Sequence, residues 1–296
     1  MTKLSDLTLE QIFAERLTDT PCVYLNKKRE VWVATEICVQ YLESTIDSIV
    51  VRDDNLKPIG IVGGYDLLDS IRKDPTRDFQ YKTNIEQIMF KDLLIVDKDT
   101  KLEDLVEQWK VSRRAFAIIP NKFRGYSPIS ARKMLEVGIR YKTNMTVSSM
   151  PKKKIITFHS DDSLGKIVNS MFENKTRKLL LEYSNQFISD RLILEAISNA
   201  LKFQPNIENL FDIPVNQIKL KEATVIKEDL TLDKLCSLMY KMDHPYVYYK
   251  DIVVSPWDVC LSLINENMTE ISEGYQMKRK CPHCGKNIQL IPKLII

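Results

Sequence analysis

Apolar and polar positions along this chain fall into a unit that recurs four times, about every 60–70 residues. Each unit has a polar lead-in, a stretch with helical apolar spacing, and an apolar run of strand length. A tight turn and a second short apolar run follow, and then a Ser, Asp or Gly opens another amphipathic helix. The clearest copy contains Ile49-Val50-Val51, the turn Asp53-Asp54-Asn55, and the run from Pro58 through Gly63 and Gly64 into Tyr65-Asp66-Leu67-Leu68. Asp, Asn and Pro set such reversals because their side chains or rings favour turn geometry.

Repeat 1 spans 1–80, with helices predicted over 35–42 and 65–72 and strands over 49–51 and 58–62. Repeat 2 spans 81–145, with helices over 102–109 and 130–137, a strand over 115–119 and a turn at Pro120-Asn121. Repeat 3 spans 146–203: a helix over 163–172 with Asp161-Asp162 before it, a strand over 178–183, a turn at Ser184-Asn185, and a helix over 191–201. Repeat 4 spans 204–270, with helices over 232–241 and 257–264 and strands over 246–249 and 252–254. The polar joints are 74–78 and 145–154. The second ends in Pro151-Lys152-Lys153-Lys154 and divides the chain into halves. Residues 271–296 depart from the repeat.

Composition narrows the reading. Hydrophobic residues make up 44% and charged residues 28% of the 296, the balance of a soluble globular protein. A net charge of +3 is too small to argue for nucleic acid. The 8 glycines form no phosphate loop of the Walker or Rossmann type. Residues 1–17 have no apolar core of signal-peptide length and no run reaches a membrane span, so a cytoplasmic location is expected. Cys22, Cys38, Cys236 and Cys260 read as reduced core residues. The 3 histidines, His159, His244 and His283, stand in no nucleophile–base or metal-triad spacing, and no Gly-x-Ser-x-Gly elbow occurs. These features argue against an enzyme.

The helix–strand–turn–strand–helix unit resembles the CBS (cystathionine β-synthase) domain. In that family the second strand runs into Gly-apolar-apolar-Ser/Thr-x-x-Asp-apolar. Repeat 1 has Gly60-Ile61-Val62-Gly63-Gly64-Tyr65-Asp66-Leu67, and repeat 4 has Val253-Val254-Ser255-Pro256-Trp257-Asp258-Val259. The resemblance implies a mixed α/β fold of tandem CBS repeats paired into two Bateman modules, 1 with 2 and 3 with 4. The modules stack either within the chain or against a second copy in a homodimer. It also implies clefts for an adenosyl ligand: AMP, ADP, ATP or S-adenosylmethionine.

An Asp in the first turn of a helix can accept hydrogen bonds from both ribose hydroxyls, and a hydroxyl three residues earlier can hold a phosphate beside the helix N-terminus. By the family pattern Asp66 and Asp258 are the ribose candidates and Ser255 the phosphate candidate. Gly63 stands where repeat 1 lacks the hydroxyl, leaving its N–H. The plainer reading is that both Asp residues merely favour a helix N-terminus. Repeat 2 has Lys133 at the Asp position and repeat 3 has Leu192, with Asp190 displaced, so those two sites are expected to be empty or altered. Each of these repeats carries a cation pair before its first strand, Arg113-Arg114 and Arg177-Lys178, which the resemblance directs at phosphates held by the partner repeat. The alternative is solvated loop charges. His244, at the same place in repeat 4, is either a phosphate or adenine contact or a turn residue beside Pro245.

In the tail, Cys281-Pro282-His283-Cys284-Gly285 resembles half a zinc knuckle, with Cys281 and Cys284 as ligands and the other two supplied by a second chain or a partner. A redox dithiol is the alternative. The expected function is non-catalytic sensing of an adenosyl ligand, with conformational signalling to an unidentified protein effector. The competing reading is a scaffold or adaptor whose basic tail contacts nucleic acid or a protein.

Overall fold

The computed structural model describes residues 3–40, 47–151 and 153–265, together with short strand pairings at 270–271, 279–280 and 287–288. Each repeat is built the same way. In repeat 1, β1 (Tyr24–Asn26) lies parallel to β2 (Ser48–Arg52), which pairs antiparallel with β3 (Pro58–Gly63). Helix α1 (Val31–Gln40) crosses between β1 and β2, and α2 (Gly64–Lys73) follows β3. Repeat 2 reduces the first strand to a single parallel bridge, Ile95 with Ile118, before α3 (Leu102–Ser112), β4 (Phe116–Pro120), β5 (Tyr126–Ser130) and α4 (Met134–Arg140). Repeat 3 has β6 (Thr157–Phe158), α5 (Leu164–Glu173), β7 (Lys178–Leu181), β8 (Gln186–Ser189) and α6 (Asp190–Phe203). Repeat 4 has β9 (Thr224–Ile226), α7 (Leu232–Tyr240), β10 (Val247–Tyr249), β11 (Ile252–Val254) and α8 (Pro256–Asn265).

Local chemistry sets most of these boundaries. Thr8 and Gln11 form a reciprocal capping box on a short helix, Leu9–Phe13. Ser163 and Ser189 cap α5 and α6 by accepting from the N–H three residues on. Repeat 2 differs from the sequence expectation. Ser127–Ser130 belong to β5, residues 131–133 form a turn, and the helix starts at Met134 rather than Ser130. Pro128 can sit in β5 because this sheet has just two strands.

The sheets of repeats 1 and 2 pack face to face through Cys22, Val50, Ile61, Phe116 and Ile118. In repeats 3 and 4 the matching contacts are Phe187 edge-on to His244 and the Lys178 ammonium on the Tyr246 ring. Each lead-in also crosses to its partner's second hairpin strand. Cys22 N–H donates to Tyr126, Phe90 bridges Ile61, Lys154 bridges Ile252, and Lys221-Glu222 pairs with β8.

The two modules stack through their helices within one chain. Repeats 1 and 3 share one large core, with α1 and α2 against α6. Repeats 2 and 4 share the other, with α4 against α7 and α8. Leu4, Leu9, Ile12, Phe13 and Leu17 join this second core, so the first residues of the chain brace repeats 2 and 4. Polar clamps cross both seams. Buried Glu36 accepts from Ser198 and Lys202. Arg191 of repeat 3 donates to the carbonyl of Cys38, and Arg132 of repeat 2 donates to the carbonyls of Met242 and Asp243. Among the described residues no helix is long and apolar enough to cross a membrane.

Candidate functional site

The stacking brings the starts of the second helices, where the motif residues lie, toward the seam between modules. Asp66 sits in the first turn of α2 and is 7% exposed. Its Oδ2 accepts from the Gly63 N–H at 2.9 Å, and its Oδ1 accepts from Arg114 Nη2 at 2.6 Å. The Arg114 guanidinium also lies 4.4 Å from the Tyr65 ring centre and 5.0 Å from that of Phe90. Arg114 therefore reaches from repeat 2 to the acid of repeat 1 as the cation-pair argument expects, although here it meets the carboxylate itself. Arg113 adopts φ 55° at the end of α3 and is exposed.

Gly63 has a steric reason to depart from Ser or Thr. A Cβ there would stand 2.9 Å from Ser48 Oγ and 3.1 Å from the Asp47 carbonyl. Ser48 is the cross-strand partner of Gly63, so a hydroxyl is present beside this helix start, supplied by β2. Gly64 is similarly confined: its Cβ would meet the Arg177–Asp190 pair of repeat 3 at 2.9–3.1 Å.

Asp258 occupies the equivalent place on α8 and is 1% exposed. Its Oδ2 accepts from the Ser255 N–H at 2.8 Å and from the Ser255 hydroxyl at 2.5 Å. Its Oδ1 is paired with the Lys153 ammonium, 2.7 Å away. Lys178 is 6% exposed, with Nζ 3.3 Å from the centre of the Tyr246 ring. Burial pushes its amine well below the usual lysine range. The Asp258 charge opposes that shift and Lys153 reinforces it.

Ion pairs stand at the matching places of the two altered repeats. Lys133 pairs with Asp19 of the repeat 1 lead-in at 3.4 Å and lies 3.9 Å from Glu136. This is the Asp258–Lys153 arrangement with its charges exchanged. In repeat 3, Leu192 is buried in the core, and Asp190 is bound by both Nε and Nη2 of Arg177. Arg177 thus serves its own repeat and, burial notwithstanding, the Asp190 charge raises its pKa. His244 is half-buried, stacked edge-on against Phe187 at 5.8 Å, and desolvation lowers its pKa.

Sequence reasoning missed Lys153, Asp19 and Ser48 as site residues. The signal for Lys153 was present, since it stands in the joint between halves, but its contact depends on the strap crossing β11. Cys281 and Cys284 lie outside the described residues. Among the described residues no group of three or more His, Cys, Asp or Glu is placed to hold a metal.

No protein-family model matches the chain, and no curated protein matches it. Solved structures do. A Methanocaldococcus jannaschii protein described as a proposed archaeal homologue of g-AMPK aligns over 86% of this chain and 99% of its own, at 14% identity and a TM-score of 0.66. An uncharacterised conserved protein from Pyrococcus horikoshii aligns over 82% of this chain and 96% of its own, at 9% identity and a TM-score of 0.50. The chain has the CBS fold: four repeats, paired through their sheets into two Bateman modules that stack through their helices.

Proposed function

We propose that the protein is a regulatory sensor that binds an adenine nucleotide or related adenosyl ligand at two places, the Asp66 cleft of repeat 1 and the Asp258 cleft of repeat 4. The observation that carries this reading is shared by both. A buried carboxylate sits in the first turn of a helix, one oxygen fixed by the N–H three residues earlier and the other facing a cation from outside its own repeat. Such a carboxylate is held in one rotamer, and its second oxygen becomes an acceptor for a diol once the cation moves to a phosphate. Ser255 and the Gly63 N–H, backed by Ser48, stand beside the helix N-termini where a phosphate is favoured. Arg114 and Lys153 supply the positive charge, and the buried Lys178 amine offers a further hydrogen-bond donor. The altered repeats, closed by Lys133–Asp19 and Arg177–Asp190, serve as structural counterparts.

Ligand binding stabilises the packing it bridges and shifts the population toward it. Thermal-shift titration with AMP, ADP, ATP and S-adenosylmethionine tests the reading. At least one ligand is expected to raise Tm in the intact chain, and the Asp66→Ala/Asp258→Ala double variant to lose the response. No response to any of the four favours the scaffold reading.

A further inference from the structure

Asp258 is 1% exposed, yet the cation at its Oδ1 is the Lys153 ammonium, 2.7 Å away on a side chain 47% exposed. A buried charge is ordinarily held by partners as buried as itself. In repeat 1 the matching oxygen is held by the Arg114 guanidinium at 2.6 Å, on a side chain 21% exposed.

Lys153 does not belong to either hairpin. It lies on the strap that carries the chain out of the joint between the modules. Lys154 bridges Ile252 of β11, the Ile156 carbonyl accepts from Leu180 N–H of β7 at 2.9 Å, and β6 follows at once. The strap therefore touches both repeats of the second module while covering Asp258. The Lys153 side chain also lines an open cleft of about 460 Å³, whose other walls are Lys154, Ile155, Asp251 and Ile252.

We propose that Lys153 is a ligand-responsive latch and a specificity residue of the repeat 4 site: it caps Asp258 Oδ1 in the ligand-free chain, and a ribose diol takes that oxygen only when the ammonium lets go. This rests on the reading of Asp258 as a ribose acceptor. The released ammonium needs a new anion. A nucleotide brings one in its phosphate, whereas an uncharged nucleoside breaks the ion pair and offers nothing in return. The latch thus favours phosphate-bearing ligands and couples occupancy of repeat 4 to the strap between the modules.

The test uses the full chain with Asp66→Ala, which leaves the repeat 4 site, and titrates adenosine and AMP by calorimetry. In Lys153→Met, adenosine is expected to bind several-fold tighter, because no ion pair has to break. The preference for AMP over adenosine is expected to fall about tenfold, the scale of one charge-assisted hydrogen bond. Lys154→Met, the neighbouring lysine, is expected to change neither. If Lys153→Met leaves both affinities within twofold of the parent, or weakens adenosine, the latch is overturned while the ribose site stands. If neither ligand binds even the unmodified chain, the latch is overturned, and if ADP, ATP and S-adenosylmethionine also fail to bind there, the ribose reading falls with it.

Discussion

Replacing Gly138 by Ala probes the in-chain stack on which both clefts depend. Gly138 lies inside α4 of repeat 2 and faces α7 of repeat 4. A Cβ at this position would stand 2.2 Å from Cys236 Sγ, 3.2 Å from Cys236 Cβ and 3.8 Å from Val259 Cγ1. Cys236 is fully buried, so its sulfur has no solvent to move into. In an open helix the same change gains about 1 kcal/mol of helix propensity. Here the overlap with sulfur exceeds an ångström, which puts the overpacking cost at the upper end of its usual range, about 3 kcal/mol. The net expectation is a loss of about 2 kcal/mol, read as a lower urea midpoint by circular dichroism at constant m. Gly138→Ala/Cys236→Ala removes the sulfur and is expected to recover most of the loss, since only the 3.2 Å approach to Cys236 Cβ remains tight. If Gly138→Ala alone raises stability by about 1 kcal/mol, α4 does not press on α7 and the stack of repeat 2 on repeat 4 is wrong.

Arg114→Met leaves the buried Asp66 carboxylate without its guanidinium and is expected to cost about 2 kcal/mol, reduced from the fully buried case because Arg114 is partly exposed; adding Asp66→Asn should restore most of it in a double-mutant cycle. Burial lowers the Lys178 pKa, so the unfolded chain binds more protons between the folded pKa and the ordinary lysine value of 10.5. Stability from this residue therefore rises with pH across that window, and Lys178→Met should flatten the rise and stabilise the protein at neutral pH. His244 also has a pKa lowered by burial, so the stability it contributes is complete above the ordinary histidine value of 6.5 and is lost as pH falls below it. Comparing Tm at pH 7.5 and 5.5 should show a smaller drop in His244→Phe than in the parent. For the tail, metal analysis of purified protein decides between the alternatives at Cys281 and Cys284: about half an equivalent of zinc per chain supports a four-thiolate site shared between two chains, and absence of zinc removes the knuckle assignment.

Much of the fold was legible because strand, turn and helix signals are local. The Asp53-Asp54-Asn55 turn and the apolar runs at β2, β4 and β10 each announce themselves within a few residues, whereas the cap of α5 is Ser163 and not the Asp161-Asp162 pair before it. Repeat 2 was read less well because Pro128 disguises a strand and Ser130 mimics a helix cap at a turn. The candidate acids Asp66 and Asp258 stand out in the sequence because a motif carries them, and both lie buried in the first turn of a helix. Their counterions were less legible. Arg114 is 48 residues from Asp66, and its reach depends on sheet packing that no spacing encodes. Lys153 meets Asp258 through the crossing of a strap over β11. Nor does an amphipathic helix name its partner: the pairing of repeat 1 with 3 and of 2 with 4 follows from shape at contacts such as Gly138 on Cys236. The loss of a hydroxyl at Gly63 looked like a weakness in sequence and is explained by Ser48 filling the space.

On the proposed function, Asp66 and Asp258 each hold one adenosyl ligand. Calorimetric stoichiometry tests it most directly, with whichever of AMP, ADP, ATP or S-adenosylmethionine gives the largest thermal shift. Two equivalents per chain are predicted for the parent, one for Asp66→Ala, one for Asp258→Ala and none for the double variant. Unchanged stoichiometry in the double variant, or no binding by the parent, would show that these two aspartates hold no ligand.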